Sequence, residues 1–241
     1  MAKSSRRQSK KTNLDNATSI FRENFELPTI KPLTPAQQHA FDKFYEDKHL
    51  VLHGLAGTGK TFCGMYLALD ELFNQYDYYN KVTIIRSVVP TREMGYLPGS
   101  EKEKQKVFEL PYSAICNELF GRDDAYSVLK AKNYIDFIST SFIRGTTLSN
   151  TIVLVDEINN MTFHELDSVI TRMGHNCKMI FAGDFRQSDL PRSDKNGILN
   201  FLEIIKRMPG IELVEFGEED IVRSGIVKDY IITRDRLGFA A

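Results

Sequence analysis

The feature that most constrains this chain is the glycine-rich segment Gly54-Leu55-Ala56-Gly57-Thr58-Gly59-Lys60-Thr61, which follows the largely apolar residues 49–53. Its glycines let successive backbone N–H groups converge on an anionic phosphate, because side chains there would block the approach. A helix that opens at Lys60-Thr61 adds unpaired N–H groups and partial positive charge. The spacing predicts a nucleoside triphosphate site in which Lys60 reaches the β- and γ-phosphates and Thr61 binds Mg²⁺. We expect nucleotide contacts from Gly54 through Phe62.

Apolar, β-branched runs alternate with helical patterns on both sides of this segment. We expect strands near 49–53, 81–86, 135–140, 151–155, 177–182 and 211–215. Helices are expected to open at Thr34 and to cover 60–74, 101–121, 162–172 and 196–208, with an interruption at Pro111 and a short helix after Asp220. This alternation is typical of an α/β protein with a mostly parallel sheet and helices on both faces.

Charge is balanced in the whole chain but not along it. Lys plus Arg total 31 and Asp plus Glu total 32, so net charge indicates no partner. The first acidic residue is Asp15, and five basic residues precede it: Lys3, Arg6, Arg7, Lys10 and Lys11. This tail fits either an electrostatic arm for nucleic acid or a disordered, solubilising terminus, and its shortness favours the second. We expect a flexible basic tail over 1–18 and one domain over 19–241.

Neither apolar runs nor cysteines indicate a membrane or an oxidising compartment. No window approaches the roughly 18 apolar residues of a membrane span, and the tail lacks the apolar core of a secretory signal. The three cysteines, Cys63, Cys116 and Cys177, are far apart and odd in number. They fit small buried residues better than a disulfide framework. A cytoplasmic protein is therefore expected.

An acidic pair, Asp156-Glu157, follows the near-continuous apolar run 151–155. Ligands of open α/β sheets lie beyond the carboxyl ends of the strands, so the pair is expected to face the phosphate-binding segment. Asp156 suits Mg²⁺, directly or through water. Glu157 suits polarisation of an attacking water near the γ-phosphate. Alone, the pair fits the start of a loop equally well, but together with the glycine-rich segment it predicts hydrolysis.

A second strand end carries the sequence Gly183-Asp184-Phe185-Arg186-Gln187. Gln187 is a candidate for holding the attacking water or sensing the γ-phosphate. An arginine near the transferred phosphoryl group would stabilise the charge of the transition state. The arginines considered for this role are Arg86, Arg92, Arg144, Arg186 and Arg223. The dinucleotide fingerprint is absent, because Phe62 stands where its last glycine would fall.

Several of these motifs together resemble the first motor domain of superfamily 1 helicases: Thr34-Pro-x-Gln37, the segment 54–61 and Gly183-Asp-x-x-Gln187. A more specific resemblance is to the PhoH family. It is carried by Gly95-Tyr-Leu-Pro-Gly99, Phe142-Ile-Arg-Gly145 with Thr147-Leu148, Asp156-Glu157 with Asn160, and Asp220-Ile-Val-Arg-Ser224. The order and spacing match over about residues 33–230. The small size and basic tail are similar to those of phage members of that family.

The resemblance implies an ATPase built on a single RecA-like domain that acts on RNA or DNA. It also implies that Gln37 contacts adenine and that Gly183-Asp-x-x-Gln187 couples the γ-phosphate to conformational change. One departure is visible, since the family has Asp-Glu-Ala-Gln-Asn where this chain has Asp156-Glu-Ile-Asn-Asn160. Both acidic residues survive, so hydrolysis is still expected, but the coupling that a glutamine at position 159 would serve is in doubt.

A superfamily 1 helicase closes ATP between two motor domains, whereas this chain has room for one. We therefore expect a head-to-tail homo-oligomer, with a hexamer suggested by family resemblance, in which a neighbour supplies Arg223 or Arg144. The leading function is ATP hydrolysis coupled to work on RNA or single-stranded DNA. An alternative is a nucleotide-dependent regulatory protein that acts on a protein partner such as a nuclease. A small-molecule kinase fits the strand-end motifs poorly.

Overall fold

Six parallel strands form one sheet in the order β3-β2-β4-β5-β1-β6. The structure is a computed structural model that describes residues 25–74, 78–88, 101–185 and 192–238, and for 101–105 and 192–196 it describes the backbone alone. The strands are β1 (His49–Gly54), β2 (Lys81–Arg86), β3 (Ile135–Ser139), β4 (Thr151–Asp156), β5 (Cys177–Gly183) and β6 (Ile211–Phe216). Each lies within one or two residues of its expected position, because each is a run of apolar or β-branched residues.

Helices connect the strands. Within the described residues they are α1 (Pro35–Tyr45), α2 (Lys60–Asn74), α3 (Glu101–Phe120), α4 (Ala125–Ala131), α5 (Phe163–Ile170), α6 (Arg192–Ile205) and α7 (Gly225–Arg236). Short 3-10 turns follow β3 at Thr140–Phe142 and β4 at Ile158–Asn160. The helix start expected at Thr34 is confirmed, since its hydroxyl accepts a hydrogen bond from the Gln37 backbone N–H at 3.3 Å.

Apolar side chains cover both faces of the sheet. On one face, Leu50, Ile84 and Leu154 pack against α1, α2, α3 and α4. On the other face, Val51 and Val155 pack against α5 and α6. The alternation of neighbours along each strand follows from the two-residue period of a β-strand. The expected α/β architecture, a parallel sheet with helices on both faces, is confirmed.

The strand order sets the position of the site. Strand β5 lies between β1, which leads into the glycine-rich segment, and β4, which ends in the acidic pair. Because all strands are parallel, their carboxyl ends meet at one edge of the sheet. Residue pairs in register there include His53 with Gly183 and Arg86 with Asp156.

One helical expectation is wrong, and one helix was missed. The interruption expected at Pro111 is wrong, because α3 is one continuous helix with Pro111 inside it. Pro111 is exposed whereas the next residue, Tyr112, is fully buried, so packing of the inner face holds the helix together despite the lost N–H. Helix α4 was not predicted; its Ala125 and Leu129 complete the core beside α3.

Among the helices of the described residues, none combines the length and apolar character needed to cross a membrane. All three cysteines are free, as expected: Cys63 and Cys116 are buried and Cys177 is half-buried. Burial raises the pKa of the Cys63 and Cys116 thiols to about 12. Both thiols are therefore protonated at neutral pH and act as small apolar residues.

Candidate nucleotide-binding site

The glycine-rich segment forms a tight loop between β1 and α2, as predicted. Three of its residues adopt positive φ: Gly54 at 132°, Gly57 at 74° and Gly59 at 82°. At Gly54 a Cβ would lie 2.1 Å from the backbone oxygen of Phe216, the last residue of β6. That oxygen also accepts a hydrogen bond from the Leu55 N–H at 3.1 Å. The loop is thus fixed against the neighbouring strand end, and only glycine fits its first position.

The Lys60 side chain folds back across this loop. Its Nζ donates to the backbone oxygens of Gly54 and Leu55 at 2.9 and 2.7 Å and lies 3.3 Å from the Thr58 hydroxyl. Thr58 is buried, and its hydroxyl donates to the Leu55 oxygen at 2.9 Å. These bonds hold the ammonium group against the carbonyl oxygens of the loop. A positive charge beside a row of backbone N–H groups is suited to polyphosphate.

Thr61 and Asp156 meet although they are 95 residues apart in the chain. The Thr61 hydroxyl donates to Asp156 Oδ1 at 2.9 Å. The second carboxylate oxygen, Oδ2, accepts a hydrogen bond from the hydroxyl of Tyr112 on α3, also at 2.9 Å. The expected approach of the acidic strand end to the phosphate loop is therefore present, whereas nothing in the sequence indicated Tyr112.

Asp156 is buried at the end of β4, and this environment changes its ionisation. Burial raises the pKa of the carboxyl above its usual value, and the neighbouring Glu157 raises it further. Hydrogen bonds from Tyr112 and Thr61 and the charge of Arg86 oppose the rise. A buried carboxylate with a raised pKa gains from a cation that compensates its charge.

Glu157 has an unusual backbone conformation. Its φ of 53° is left-handed, and the other described non-glycine residues with positive φ are all Asp or Asn. Such a conformation costs about 1–3 kcal/mol and tends to occur at functional sites. Asn159 follows two residues later and bridges two strand ends. Its Nδ2 donates to Glu157 Oε2 at 3.4 Å, and its Oδ1 accepts from the Asp184 N–H at 3.3 Å.

The contacts of Asn159 bear on the departure from the family pattern. The position where the family has glutamine still connects the acidic pair to the end of β5. Its oxygen would lie 2.7 Å from a Cβ placed on Gly183, so the space there is filled. The shorter asparagine therefore makes a local link between Glu157 and the strand end that carries Asp184.

A cavity of about 680 Å³ opens over the loop. It is lined by the loop and by Asp156, Glu157, Asn159, Gly183 and Asp184, and it extends toward Ile30, Leu33, Gln37, Phe41, Phe62, Ile115 and Glu118. The loop and the acidic residues carry the predicted phosphate and cation contacts, and the rest of the lining mixes apolar side chains with Lys31, Gln37 and Glu118. A volume between about 300 and 1,000 Å³ is typical of a small-molecule site.

Gln37 lines the cavity and contacts both the phosphate loop and the segment before α1. Its Nε2 donates to the Thr58 backbone oxygen at 3.1 Å, and its Oε1 accepts from the Leu33 N–H at 2.9 Å. Each amide group retains a second donor or acceptor position. The contact of Gln37 with adenine stays a prediction. Its position between the loop and Leu33 is one that sequence spacing alone could not give.

The segment before α7 closes one side of the loop. Val222 N–H donates to the Gly57 oxygen at 3.1 Å, and buried Asp220 accepts from the N–H groups of Ala36 and Gly217 at 3.2 and 2.9 Å. Arg223 lines the cavity of its own chain, with its Cγ 2.8 Å from the Cβ position of Gly57. The sequence identified this motif but not its contact with the phosphate loop.

The other candidate residues lie elsewhere. Arg144 follows β3 and is exposed, with its Nη2 2.5 Å from Nε2 of His164 on α5. It is not among the residues that line the cavity. Gln187, Arg186 and Arg92 lie outside the described residues, as does the Gly95–Gly99 motif. Their roles therefore stay predictions.

The family model for PhoH, described as PhoH-like protein, matches residues 29–233. A PhoH-like protein from Bacillus subtilis is 29% identical over 95% of this chain and 73% of its own length. Protein PhoH from Escherichia coli K12 is 30% identical over 87% of this chain and 59% of its own length. This chain thus spans little more than half the length of some relatives. A solved large terminase from a thermophilic bacteriophage is 12% identical, with a TM-score of 0.48 over 85% of this chain and 50% of its own.

The match covers the phosphate loop, the acidic strand end and the segment that carries Arg223. The expected P-loop ATPase domain is accordingly confirmed. The chain belongs to the PhoH-like family of P-loop ATPases.

Proposed function

We propose that this chain hydrolyses ATP with Mg²⁺ and couples hydrolysis to the binding or remodelling of RNA or single-stranded DNA. The observation that carries the proposal is the hydrogen bond between Thr61 and Asp156. It brings a hydroxyl of the phosphate loop and a buried carboxylate together at the carboxyl edge of the sheet. That pairing supports a site for a nucleotide with its cation rather than for a bare phosphate.

The donor set fits Mg²⁺. Thr61 and Asp156 offer a hydroxyl and a carboxylate oxygen within 2.9 Å of each other, and Mg²⁺ prefers oxygen ligands. No cluster of three or more potential metal-binding side chains occurs in the part of the chain that the structure describes. Mg²⁺ commonly uses one or two protein oxygens together with nucleotide phosphates. When bound, the cation would neutralise charge on the phosphates, held by Thr61 and Asp156.

The chain's own residues account for the remaining chemistry. Lys60 is positioned to neutralise the β- and γ-phosphates once it exchanges its bonds to the loop for phosphate oxygens. Glu157 lines the same cavity and is placed to accept a proton from the attacking water. Arg223 adds a second positive charge from the same chain. Gln187 is proposed to position the water or sense the γ-phosphate.

We propose that a neighbouring copy completes the site. The described residues form one sheet, and Val222 and Arg223 lie in the wall of its cavity at the phosphate loop. Because Arg223 already faces its own loop, Arg144 is the better candidate for an arginine supplied by the neighbour. An arginine delivered to the γ-phosphate can raise the rate by about 10³–10⁵.

The nucleic-acid half of the proposal rests on membership of the PhoH-like family. The basic tail, proposed as residues 1–18 ahead of a domain over 19–241, adds positive charge that suits a phosphate backbone. The alternative is a nucleotide-dependent regulatory protein that acts on a protein partner such as a nuclease. The two differ in whether nucleic acid changes hydrolysis.

The test measures phosphate release by the purified chain with Mg²⁺ and ATP, with and without single-stranded RNA or DNA. We expect Glu157→Gln to reduce turnover by about 10²–10⁴ while ATP binding persists, because only proton transfer is removed. We expect nucleic acid to stimulate the unaltered chain, with stimulation falling steeply as salt rises.

The control is Glu203→Gln, which changes an exposed carboxylate on α6. It should leave both turnover and stimulation unchanged. Hydrolysis by Glu157→Gln at the unaltered rate would contradict the assigned role of Glu157. Hydrolysis without stimulation at low salt would contradict the nucleic-acid half and favour the regulatory alternative.

A further inference from the structure

Two helices hold the Asp156 carboxylate, one on each oxygen. Thr61 on α2 donates to Oδ1 and Tyr112 on α3 donates to Oδ2, both at 2.9 Å. Asp156 is 4% exposed and Tyr112 is 0% exposed, so the second bond is shielded from solvent. Hydrogen bonds to an ionised acceptor are stronger than those between neutral groups. The rotation of this carboxylate is therefore fixed from both sides.

The surroundings of Tyr112 join it to the site. Its ring packs against Phe137 of β3, with ring centroids 6.0 Å apart. Its hydroxyl lies beside Arg86, the β2 residue in register with Asp156. One turn further along α3, Ile115 lines the nucleotide cavity. The helix that forms part of the cavity wall thus also carries the donor to Asp156.

We propose that Tyr112 is a positioning residue that orients the Asp156 carboxylate for a cation-bound nucleotide. The inference rests on the proposed Mg²⁺-dependent ATPase function. A carboxylate turns readily about its last side-chain torsion, which is broad and roughly two-fold. The donor on Oδ2 removes that freedom and directs Oδ1 at Thr61. The Thr61 hydroxyl must turn its hydrogen away from Asp156 before the hydroxyl oxygen and Oδ1 can both face a cation. The bond from Tyr112 to Oδ2 can persist meanwhile.

A purely structural role for the Tyr112 hydroxyl would have different consequences. If the Tyr112 hydroxyl only satisfied a buried carboxylate, its loss would lower stability and leave cation dependence unchanged. The chain offers a matched control in Tyr126 on α4. Its hydroxyl donates to buried Glu109 at 2.6 Å, and neither residue lines the cavity. Tyr126→Phe thus removes the same kind of bond away from the site.

The experiment measures the dissociation constant of a fluorescent ATP analogue for the full chain, in Mg²⁺ and in EDTA. In Tyr112→Phe we expect the dissociation constant in Mg²⁺ to rise about ten-fold, as for loss of a hydrogen bond to a charged group. The EDTA value should stay within about two-fold, because the loop and cavity are unchanged. Electron paramagnetic resonance of Mn²⁺ with the analogue should show the same weakening without any turnover. Tyr126→Phe should match the unaltered chain in both assays.

Each outcome decides the matter. Equal weakening in Mg²⁺ and EDTA, or weakening in both variants, would show a general packing effect and overturn the inference. Unchanged affinity in Tyr112→Phe would overturn it as well. If the unaltered chain bound the analogue equally in Mg²⁺ and EDTA, the proposed Mg²⁺ dependence itself would fail, which separates that failure from the failure of Tyr112. The phenylalanine variant keeps the ring in place, and thermal unfolding beside Tyr126→Phe verifies its fold.

Discussion

Gly54 is the residue at which the phosphate loop has least room. A Cβ there would lie 2.1 Å from the Phe216 oxygen, and the φ of 132° is one that other residues rarely adopt. We expect Gly54→Ala to lower the free energy of unfolding by at least about 3 kcal/mol, because the end of β6 would have to move. Urea unfolding monitored by circular dichroism measures the change.

Gly121→Ala is the control that distinguishes the cost of the contact with Phe216 from the cost of the positive φ. Gly121 also has a positive φ, 62°, but no atom lies within 4 Å of its Cβ position. Gly121→Ala should therefore cost only the backbone preference, about 1–2 kcal/mol. Equal losses in the two variants would show that the contact with Phe216 is unimportant and that φ alone requires glycine.

A buried ion pair joins β5 to α2 through residues that do not line the cavity. Lys178 of β5 and Glu71 of α2 lie 3.2 Å apart, with side chains 3% and 6% exposed, and the ammonium lies 4.0 Å from the Phe44 ring centre. Glu71→Ala would leave the lysine charge buried, with Asp47 at 3.3 Å as its remaining carboxylate partner. We expect a loss of about 3–5 kcal/mol in the free energy of unfolding.

The matched control is Glu203→Ala on α6. Glu203 pairs with Lys206 and Arg207 at 3.7 Å in exposed positions, and such pairs contribute below about 1 kcal/mol. The same urea titration measures both variants. A loss at Glu71 no larger than at Glu203 would show that water reaches Lys178 and that the pair does not hold α2 against β5.

The elements themselves were largely predictable from the sequence, because their signals are local. Strand β4 is a continuous apolar run, and the phosphate loop is defined by the spacing of its glycines. Helix α3 shows the limit. Pro111 indicated an interruption, but burial of Tyr112 and its neighbours outweighs one missing N–H. Tertiary packing therefore determines that α3 is continuous at Pro111, and a local sequence pattern does not indicate how distant segments pack.

The parts of the site that the sequence did not indicate depend on contacts between distant segments. Tyr112 reaches Asp156 across 44 residues, and Asp220 reaches Ala36 across 184. Both contacts require the strand order and the placement of a helix, neither of which follows from spacing. Arg223 and Arg144 were equivalent in the sequence, yet only Arg223 lines the cavity of its own chain.

At the scale of the molecule, two exposed surfaces that carry apolar side chains lie in different parts of the fold, one along α7 and one after the edge strand β3. The α7 stripe consists of Val222, Ile226 and Tyr230, which are 42%, 83% and 64% exposed, and it begins at the cavity. The β3 turn, residues 140–147, presents Phe142, 53% exposed, and Arg144 beside the edge strand. Two different surfaces that associate head to tail form a ring if the rotation closes.

We expect this association to occur in solution and to bring Arg144 of one copy to the cavity of the next. Ile226→Asp should lower the molar mass measured by light scattering, because it places a charge in the contact. Leu199→Asp, at a 58% exposed leucine on α6 outside both surfaces, should leave the mass unchanged. Turnover should fall together with the mass in the Ile226 variant and persist in the Leu199 variant.

Mixed oligomers test whether the arginine crosses the interface. Lys60→Ala removes the phosphate-binding lysine of a subunit but keeps its arginines. Arg144→Ala keeps the lysine and removes the arginine proposed to act on the neighbour. If Arg144 acts on the neighbouring cavity, mixing the two inactive variants pairs intact loops with intact arginines and restores part of the turnover. Mixing Lys60→Ala with Arg223→Ala should restore none, since Arg223 lines the cavity of its own chain. Recovery with Arg223 alone would reverse the assignment, and recovery with neither would place the whole site within one copy.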